Sequence, residues 1–129
     1  MILTFSNEEF VQKIIDGDKI HTIREDKTSR WYPGRIIQFW FGNPRNVKNN
    51  PYEFMKGECI SDQKIEINYQ GLQQHGMIIP TIKVDGKFLP YWKKEELAIN
   101  DGFTTLHGFL QWFDKDFTGK IIHFTDYRY

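Results

Sequence analysis

Residues 17–34 read GDKIHTIREDKTSRWYPG, and the organisation of the chain is best described outward from this stretch. It contains an alternating run from Lys19 to Arg24, which is typical of a half-buried β-strand. Within this run Lys19, Thr22 and Arg24 supply an amine, a hydroxyl and a guanidinium, and Trp31 follows with an aromatic face. Such groups suit the binding of a polar, planar or phosphorylated molecule, so we expect the functional site here.

Regular strand geometry would separate these groups. Side chains alternate between the two faces of a strand, which would place Thr22 and Arg24 on one face and Lys19 and His21 on the other. A bulge or a turn at Lys19 would remove this conflict. We therefore predict that Lys19, Thr22 and Arg24 open onto one concavity, and that His21 lies at the surface as a spectator.

The stretch also carries a family resemblance. Its pattern G-x-K-x-x-T-I-R, followed by R-W-x-x-G, resembles the signature of the ASCH domains, a branch of the PUA-like fold. The matching residues are Gly17, Lys19, Thr22, Ile23, Arg24, Trp31 and Gly34. The resemblance implies a small β-barrel associated with RNA. One subfamily that this chain resembles consists of amidohydrolases that deacylate N4-acetylcytidine.

The resemblance also implies roles for particular residues. In the deacylating enzymes a lysine at the place of Lys19 activates the threonine three residues on, here Thr22. Those enzymes carry a glutamate ahead of the C-terminal helix, where this chain has Asp101. An aspartate is one methylene shorter, so it reaches the same point only if the backbone moves in. The predicted catalytic residues are thus Lys19, Thr22 and Asp101. The predicted substrate-binding residues are Arg24, Arg30 and Trp31.

Each of these residues has a structural alternative. Lys19 follows a predicted helix end, where a solvated cation suits the helix dipole. Thr22 is a β-branched residue that any strand accepts, and Arg24 would pair with Asp101 or another carboxylate if its head were covered. Trp31 is also consistent with the apolar core, and Asp101 with a turn that ends one helix before the next begins.

The flanking sequence predicts an α+β fold in which a small mixed β-barrel has helices packed alongside. A capping box formed by Ser6 and Glu9 predicts a helix beginning at Ser6, and Gly17 is well placed to end it. The run 36–41 is nearly continuously apolar, which predicts a central strand buried on both faces. The remaining predictions are strands at 1–5, 54–69 and 120–125, a loop at 70–80, a hairpin at 81–89 around Asp85-Gly86, and helices at 93–100 and after Thr104 or Thr105.

Length and composition limit the classes of protein to which this chain can belong. A length of 129 residues predicts one domain, 1–129, and 40% hydrophobic residues make a packed core available. Seventeen basic residues balance seventeen acidic ones, so a nucleic acid partner must be held by a local patch rather than by overall charge. The single cysteine, Cys59, fits a reducing, cytoplasmic compartment. We expect no signal peptide, because the N-terminus lacks a basic n-region, and no membrane span, because no apolar run is long enough. We expect no metal, because no two histidines have a ligand-like spacing, and no cofactor.

These observations lead to two functional predictions. The first is a cleft lined by Lys19, Thr22, Arg24, Trp31 and Asp101 that binds a nucleoside, a nucleotide or an exposed RNA base and hydrolyses the amide of an N4-acylated cytidine. The alternative is a non-catalytic RNA-binding module of the PUA-like type. A protein partner for the cleft is a third reading, supported only by the aromatic content. The oligomeric state does not follow from the sequence.

Overall fold

The computed structural model describes residues 1–70, 73–74 and 77–129, and side chains for 1–70 and 78–129. In the described part the chain is α+β. In chain order its elements are β1 Ile2–Phe5, α1 Glu8–Asp16, β2 His21–Arg24, β3 Ile36–Phe41, a 3-10 turn Val47–Asn49, β4 Tyr52–Glu58, β5 Ser61–Asn68, β6 Gln73–Gln74, β7 Met77–Ile78, β8 Thr81–Val84, β9 Lys87–Phe88, α2 Tyr91–Asn100, α3 Leu106–Trp112 and β10 Phe117–His123.

The strands form two main sheets. One has three strands in the order β1-β3-β4, and the other has five in the order β2-β10-β5-β8-β9, while β6 and β7 pair with each other. β1 runs parallel to β3, whereas β2, β10, β5, β8 and β9 pair antiparallel throughout. Strand pairing in the described chain does not close these sheets into one barrel. The α+β prediction is therefore confirmed at the level of class.

Helix α1 shows how local sequence sets the entry to the site. Its N-cap is Asn7, whose Oδ1 accepts a hydrogen bond from the Glu9 N–H at 2.9 Å. The predicted start at Ser6 is thus early by one residue. Phe10 and Ile14 on the apolar face are buried, and Gly17 ends the helix in the left-handed region at φ +80°.

The interior has two clusters, and β10 is a wall between them. Successive side chains of a strand point to opposite faces, so neighbours in β10 belong to different clusters. Ile121 packs with Ile23 and with helices α2 and α3, whereas Ile122 packs with β1, β3 and α1. Both isoleucines are fully buried. The same alternation in β2 directs Thr22 and His21 to opposite sides.

The strand 36–41 is central, as predicted, but only one of its faces is fully covered. β3 lies between β1 and β4 in the three-stranded sheet. Ile37 and Phe39 are completely buried, while Ile36 is 57% exposed. The prediction of two buried faces is wrong, because Ile36 on the other face is exposed and Gln38 and Trp40 beside it are only half-buried.

The other predicted elements hold with changed limits. The stretch 54–69 is two strands, β4 and β5, and Ile60 between them is 38% exposed rather than core. The hairpin is confirmed, since Asp85 and Gly86 have φ of 50° and 79°, as a tight turn with both central residues left-handed requires. The predicted loop 70–80 contains β6 and β7, and its positions 71–72 and 75–76 lie outside the described residues.

None of the helices described has the length and apolar character needed to cross a bilayer.

Candidate active site

The end of α1 places Lys19 at the site. Gly17 turns the chain, and the N–H groups of Asp18 and Lys19 both donate to Lys13 O, at 2.8 and 3.0 Å. The strand β2 begins only at His21, so Lys19 precedes it and is free of strand alternation. A turn at Gly17 and Asp18 therefore lies just ahead of Lys19, and the strand starts at His21, two residues after the alternating run begins.

A cleft of about 450 Å³ opens beside this turn. Its wall includes Lys19, Thr22 and Arg24 from the α1–β2 segment and Asp101 from the end of α2. The four predicted polar residues are thus brought together on one concavity. The apolar part of the wall comes from β1, α1, the α3 region and β10. It is formed by Phe5, Phe10, Phe103, Trp112, Phe113 and Phe117.

Lys19 and Asp101 form a buried ion pair. The Lys19 ammonium donates to the Asp101 backbone carbonyl at 2.5 Å and to Asp101 Oδ1 at 3.2 Å. Their side chains are only 1% and 4% exposed. Burial lowers the pKa of Lys19, the negative charge of Asp101 opposes this, and Arg24 and Lys13 lower the pKa further. Burial and the nearby cations Arg24 and Lys13 therefore give Lys19 two of the conditions that a lysine base requires.

Asp101 is held by a second group from behind the cleft. His21 Nδ1 lies 3.1 Å from Asp101 Oδ1, and His21 Nε2 lies 2.7 Å from the Tyr129 hydroxyl. Because Asn100 Nδ2 donates to that hydroxyl at 3.0 Å, the hydroxyl proton is free to go to His21. A neutral His21 that donates through Nδ1 satisfies all three contacts. Burial lowers the pKa of His21, which favours this neutral form.

The prediction of His21 as a surface spectator is wrong. Its side chain is completely buried, because strand alternation turns it away from Thr22 and toward His123 and Tyr129. It reaches the cleft only through Asp101. The partners that bury it lie about a hundred residues further along the chain, so no local pattern around His21 reports them.

Arg24 and Thr22 interact directly. Arg24 Nε donates to Thr22 Oγ1 at 3.3 Å, and Nη2 donates to the Thr4 carbonyl at 2.6 Å. Within residues 1–70 and 78–129, no carboxylate lies within ion-pair distance of the Arg24 guanidinium, so the alternative of a pair with Asp101 is not realised. The guanidinium carbon instead lies 5.0 Å from the Phe5 ring centroid. Arg24 therefore brings to the cleft a positive charge that no carboxylate contacts among the described side chains.

Trp31 and Arg30 lie elsewhere, which corrects the predicted cleft. Trp31 is 5% exposed and packs in the core cluster with Leu3, Ile37 and Cys59. Its backbone N–H, like that of Arg30, donates to the Asp26 carboxylate, at 3.0 and 2.8 Å. Arg30 lines a separate hollow near Met1 and Arg45. Among the structural alternatives, the core placement is the one that Trp31 adopts.

The aromatic wall is what sequence reasoning missed. Leu106, Phe109, Leu110 and Phe113 follow the apolar stripe of α3, but Trp112 falls off that stripe and is 60% exposed. The position of Trp112 off the apolar stripe was a signal that its side chain is exposed, but it does not show which residues the indole faces.

Other nucleophiles and metals have little support among the described residues. Burial raises the pKa of the Cys59 thiol to about 11, so it stays protonated near neutral pH. In 1–70 and 78–129, no three histidine, cysteine or acidic side chains come close enough together to hold a metal ion.

Comparison with known proteins returns no relationship: no family model, no curated protein and no solved structure matches the chain.

Proposed function

We propose that this chain is an ASCH-type, PUA-like domain whose cleft binds a nucleobase and hydrolyses the amide of an N4-acylated cytidine. The observation that carries the proposal is a buried lysine with a lowered pKa, fixed by Asp101, in the same cleft as Thr22. A threonine hydroxyl is a poor nucleophile at neutral pH and requires a positioned base. The resemblance of residues 17–34 to the ASCH signature supplies the substrate class.

The reaction proceeds by acyl transfer to Thr22. Thr22 Oγ1 attacks the acyl carbon while its proton passes to the neutral Lys19 amine. The tetrahedral intermediate breaks its carbon–nitrogen bond, and the proton on Lys19 moves to the departing exocyclic nitrogen, which releases cytidine. Water then loses a proton to Lys19 and attacks the Thr22 ester. The bond between the acyl carbon and Thr22 Oγ1 breaks, Lys19 returns the proton to Thr22 Oγ1, and the carboxylic acid leaves.

Asp101 and Arg24 support this chemistry in different ways. Asp101 orients the Lys19 amine through the 3.2 Å contact and serves as the relay that links it to His21. Arg24 already donates to Thr22 Oγ1, so its guanidinium lies close to where the acyl oxygen gains negative charge. A cation without a bound carboxylate is suited to that role in a water-poor site.

The test is hydrolysis of a panel of N4-acylated cytidines, followed by the ultraviolet change on deacylation. We expect wild-type protein to turn over at least one member and Thr22→Ala to lose turnover to background, because the nucleophile is gone. Thr22→Ser should retain measurable activity. The matched control is Thr81→Ala, a partly exposed strand threonine outside the cleft, which should match wild type.

One observation favours the non-catalytic alternative. The Lys19 ammonium is bonded to Asp101, and the Thr22 hydroxyl is bonded to Arg24, while in the described chain no hydrogen bond joins Lys19 to Thr22. A wild-type protein that binds the acylated nucleosides and never cleaves them would favour a binding module. The aspartate at 101, in place of the family glutamate, would then be the first residue to exchange, as Asp101→Glu.

A further inference from the structure

The exposed tryptophan at the rim of the cleft has a geometry that the reaction does not use. Trp112 is the last residue of α3, so a helix fixes its backbone. It lines the cleft with Lys19 and Thr22 and is 60% exposed. Exposure alone is not informative, since Trp92 is equally exposed. The distinguishing observation is that Trp112 lines the polar cleft and Trp92 does not.

Both aromatic neighbours leave the faces of the indole uncovered by a parallel ring. Phe10 meets it with ring centroids 6.5 Å apart at 66°, and Phe103 with centroids 6.3 Å apart at 57°. At these angles neither phenyl ring is stacked in parallel on the indole. A planar ring can stack in parallel only on a face that no parallel ring already occupies.

Phe10 connects this indole to the catalytic lysine. The Lys19 ammonium lies 4.6 Å from the Phe10 ring centroid, and Phe10 also contacts Phe103 with centroids 5.3 Å apart. A continuous aromatic wall therefore runs from Trp112 to the Lys19–Asp101 pair. A flat ligand against this wall presents its edge to the polar residues of the cleft.

We propose that Trp112 is the stacking platform for the heterocyclic ring of the ligand, the role that the sequence suggested for Trp31. This inference rests on the proposed function for the identity of the ring, a pyrimidine with an exocyclic acylamino group. The platform holds the ring by its face, and the polar groups act on its edge. Base–aromatic stacking tolerates many bases, so Trp112 contributes affinity more than discrimination.

The experiment measures binding of N4-acetylcytidine and of unmodified cytidine by calorimetry, in a Thr22→Ala background that does not hydrolyse the former. Trp112→Leu should raise both dissociation constants about 5- to 150-fold, the range expected for loss of one stacked base. Trp112→Phe keeps a ring and should lose much less. The control is Trp92→Leu, because Trp92 is also 60% exposed but does not line the cleft.

Fluorescence gives a readout that a purely structural role would not change. Ligand should quench tryptophan emission in Trp92→Phe and fail to do so in Trp112→Phe. Equal dissociation constants for Trp112→Leu and Trp92→Leu would overturn the stacking platform and leave the proposed function standing. Loss of affinity in Trp112→Leu together with a wild type that never hydrolyses would support the platform and overturn the hydrolase. A wild type that binds neither nucleoside at millimolar concentration would overturn both.

Discussion

Two of the concavities in the described part of the chain have nearly equal volume and very different electrostatics. The cleft at Lys19 measures about 450 Å³, and a groove on the five-stranded sheet, lined by residues that include Glu66, Lys83, Phe88 and Asp116, measures about 490 Å³. In the cleft the paired Lys19 and Asp101 side chains are 1% and 4% exposed. In the groove, Glu66 is 40% exposed and its contact with the Lys64 ammonium is a loose 3.6 Å.

The difference shows that burial of charge, rather than volume, marks the candidate site. Solvent screens the groove's charges, so their mutual interactions are weak. Burying a charged pair costs several kcal/mol of desolvation for each ion. A buried pair is therefore stable only where close hydrogen-bonding partners offset this penalty. The cleft carries such a pair with a backbone carbonyl and a histidine as further partners.

The largest expected effect comes from removing the buried amine. Lys19→Met keeps an unbranched side chain and should lower the deacylation rate about 10²–10⁴-fold, the usual loss of a positioned base. Lys83→Met in the groove should leave the rate unchanged. His21→Ala should cost far less than Lys19→Met, because His21 reaches the cleft only through Asp101. Rates are measured by ultraviolet absorbance on protein whose fold is checked by circular dichroism.

The opposite ranking would overturn the assignment of the base. If Lys19→Met kept full activity and His21→Ala lost it, the role implied by the family resemblance would be wrong at its centre. The comparison between the concavities would also fail if Lys83→Met reduced the rate as strongly as Lys19→Met.

The second-largest expected effect is the pH dependence of folding stability, and it depends on His123, which packs against His21. His123 is buried, its Nε2 lies 2.9 Å from Gln63 Oε1, and its Nδ1 has no hydrogen-bond partner among the residues that the structure describes. Burial, with the nearby His21 and Arg128, lowers the pKa of His123 to about 3. The unfolded chain binds a proton near pH 6.5 and the folded chain does not. Stability should therefore fall as the pH drops from about 6.5 toward 3.

Denaturant unfolding between pH 4 and pH 7 measures this effect. Each histidine kept neutral by the fold contributes a slope of at most about 1.4 kcal/mol per pH unit, and His21 adds to His123 in the same direction. His123→Gln retains a donor for Gln63 and should flatten the slope, whereas the groove variant Lys83→Met should keep it. An unchanged slope in His123→Gln would contradict a neutral, buried His123.

The elements that sequence predicted well are those with local causes. Helix α1 follows from an apolar stripe and a terminal glycine, and the hairpin follows from Asp85-Gly86. The convergence of Lys19 and Thr22 was also predictable, since a turn after Gly17 frees Lys19 from strand alternation. In each case the deciding residues lie within a few positions of one another.

The residues that sequence misplaced depend on distant partners. Trp31 belongs to the core because Leu3 and Ile37 pack on it, and Trp112 is at the cleft because Phe10 and Phe103 brace it. Composition around either tryptophan does not distinguish these outcomes. Which of two tryptophans is buried is set by packing between elements far apart in the chain, and this is the information that a single sequence lacks.

The smallest expected effect is the salt dependence of RNA binding, and it follows from the charges that line the cleft. Lys19 and Arg24 are balanced by Glu25 and Asp101, and only Arg24 lacks a carboxylate in contact among the described side chains. One phosphate contact in a single strand predicts about a 3-fold loss of affinity between 50 and 200 mM salt, whereas six contacts predict about 300-fold. Fluorescence anisotropy with a short RNA that contains N4-acetylcytidine measures the slope. Arg24→Gln should flatten it further, and Lys83→Met should not change it, because Lys83 lines the groove and not the cleft. A steep slope that Lys83→Met reduces would mean that RNA follows the groove as well, and the cleft would then be one part of an extended nucleic-acid surface.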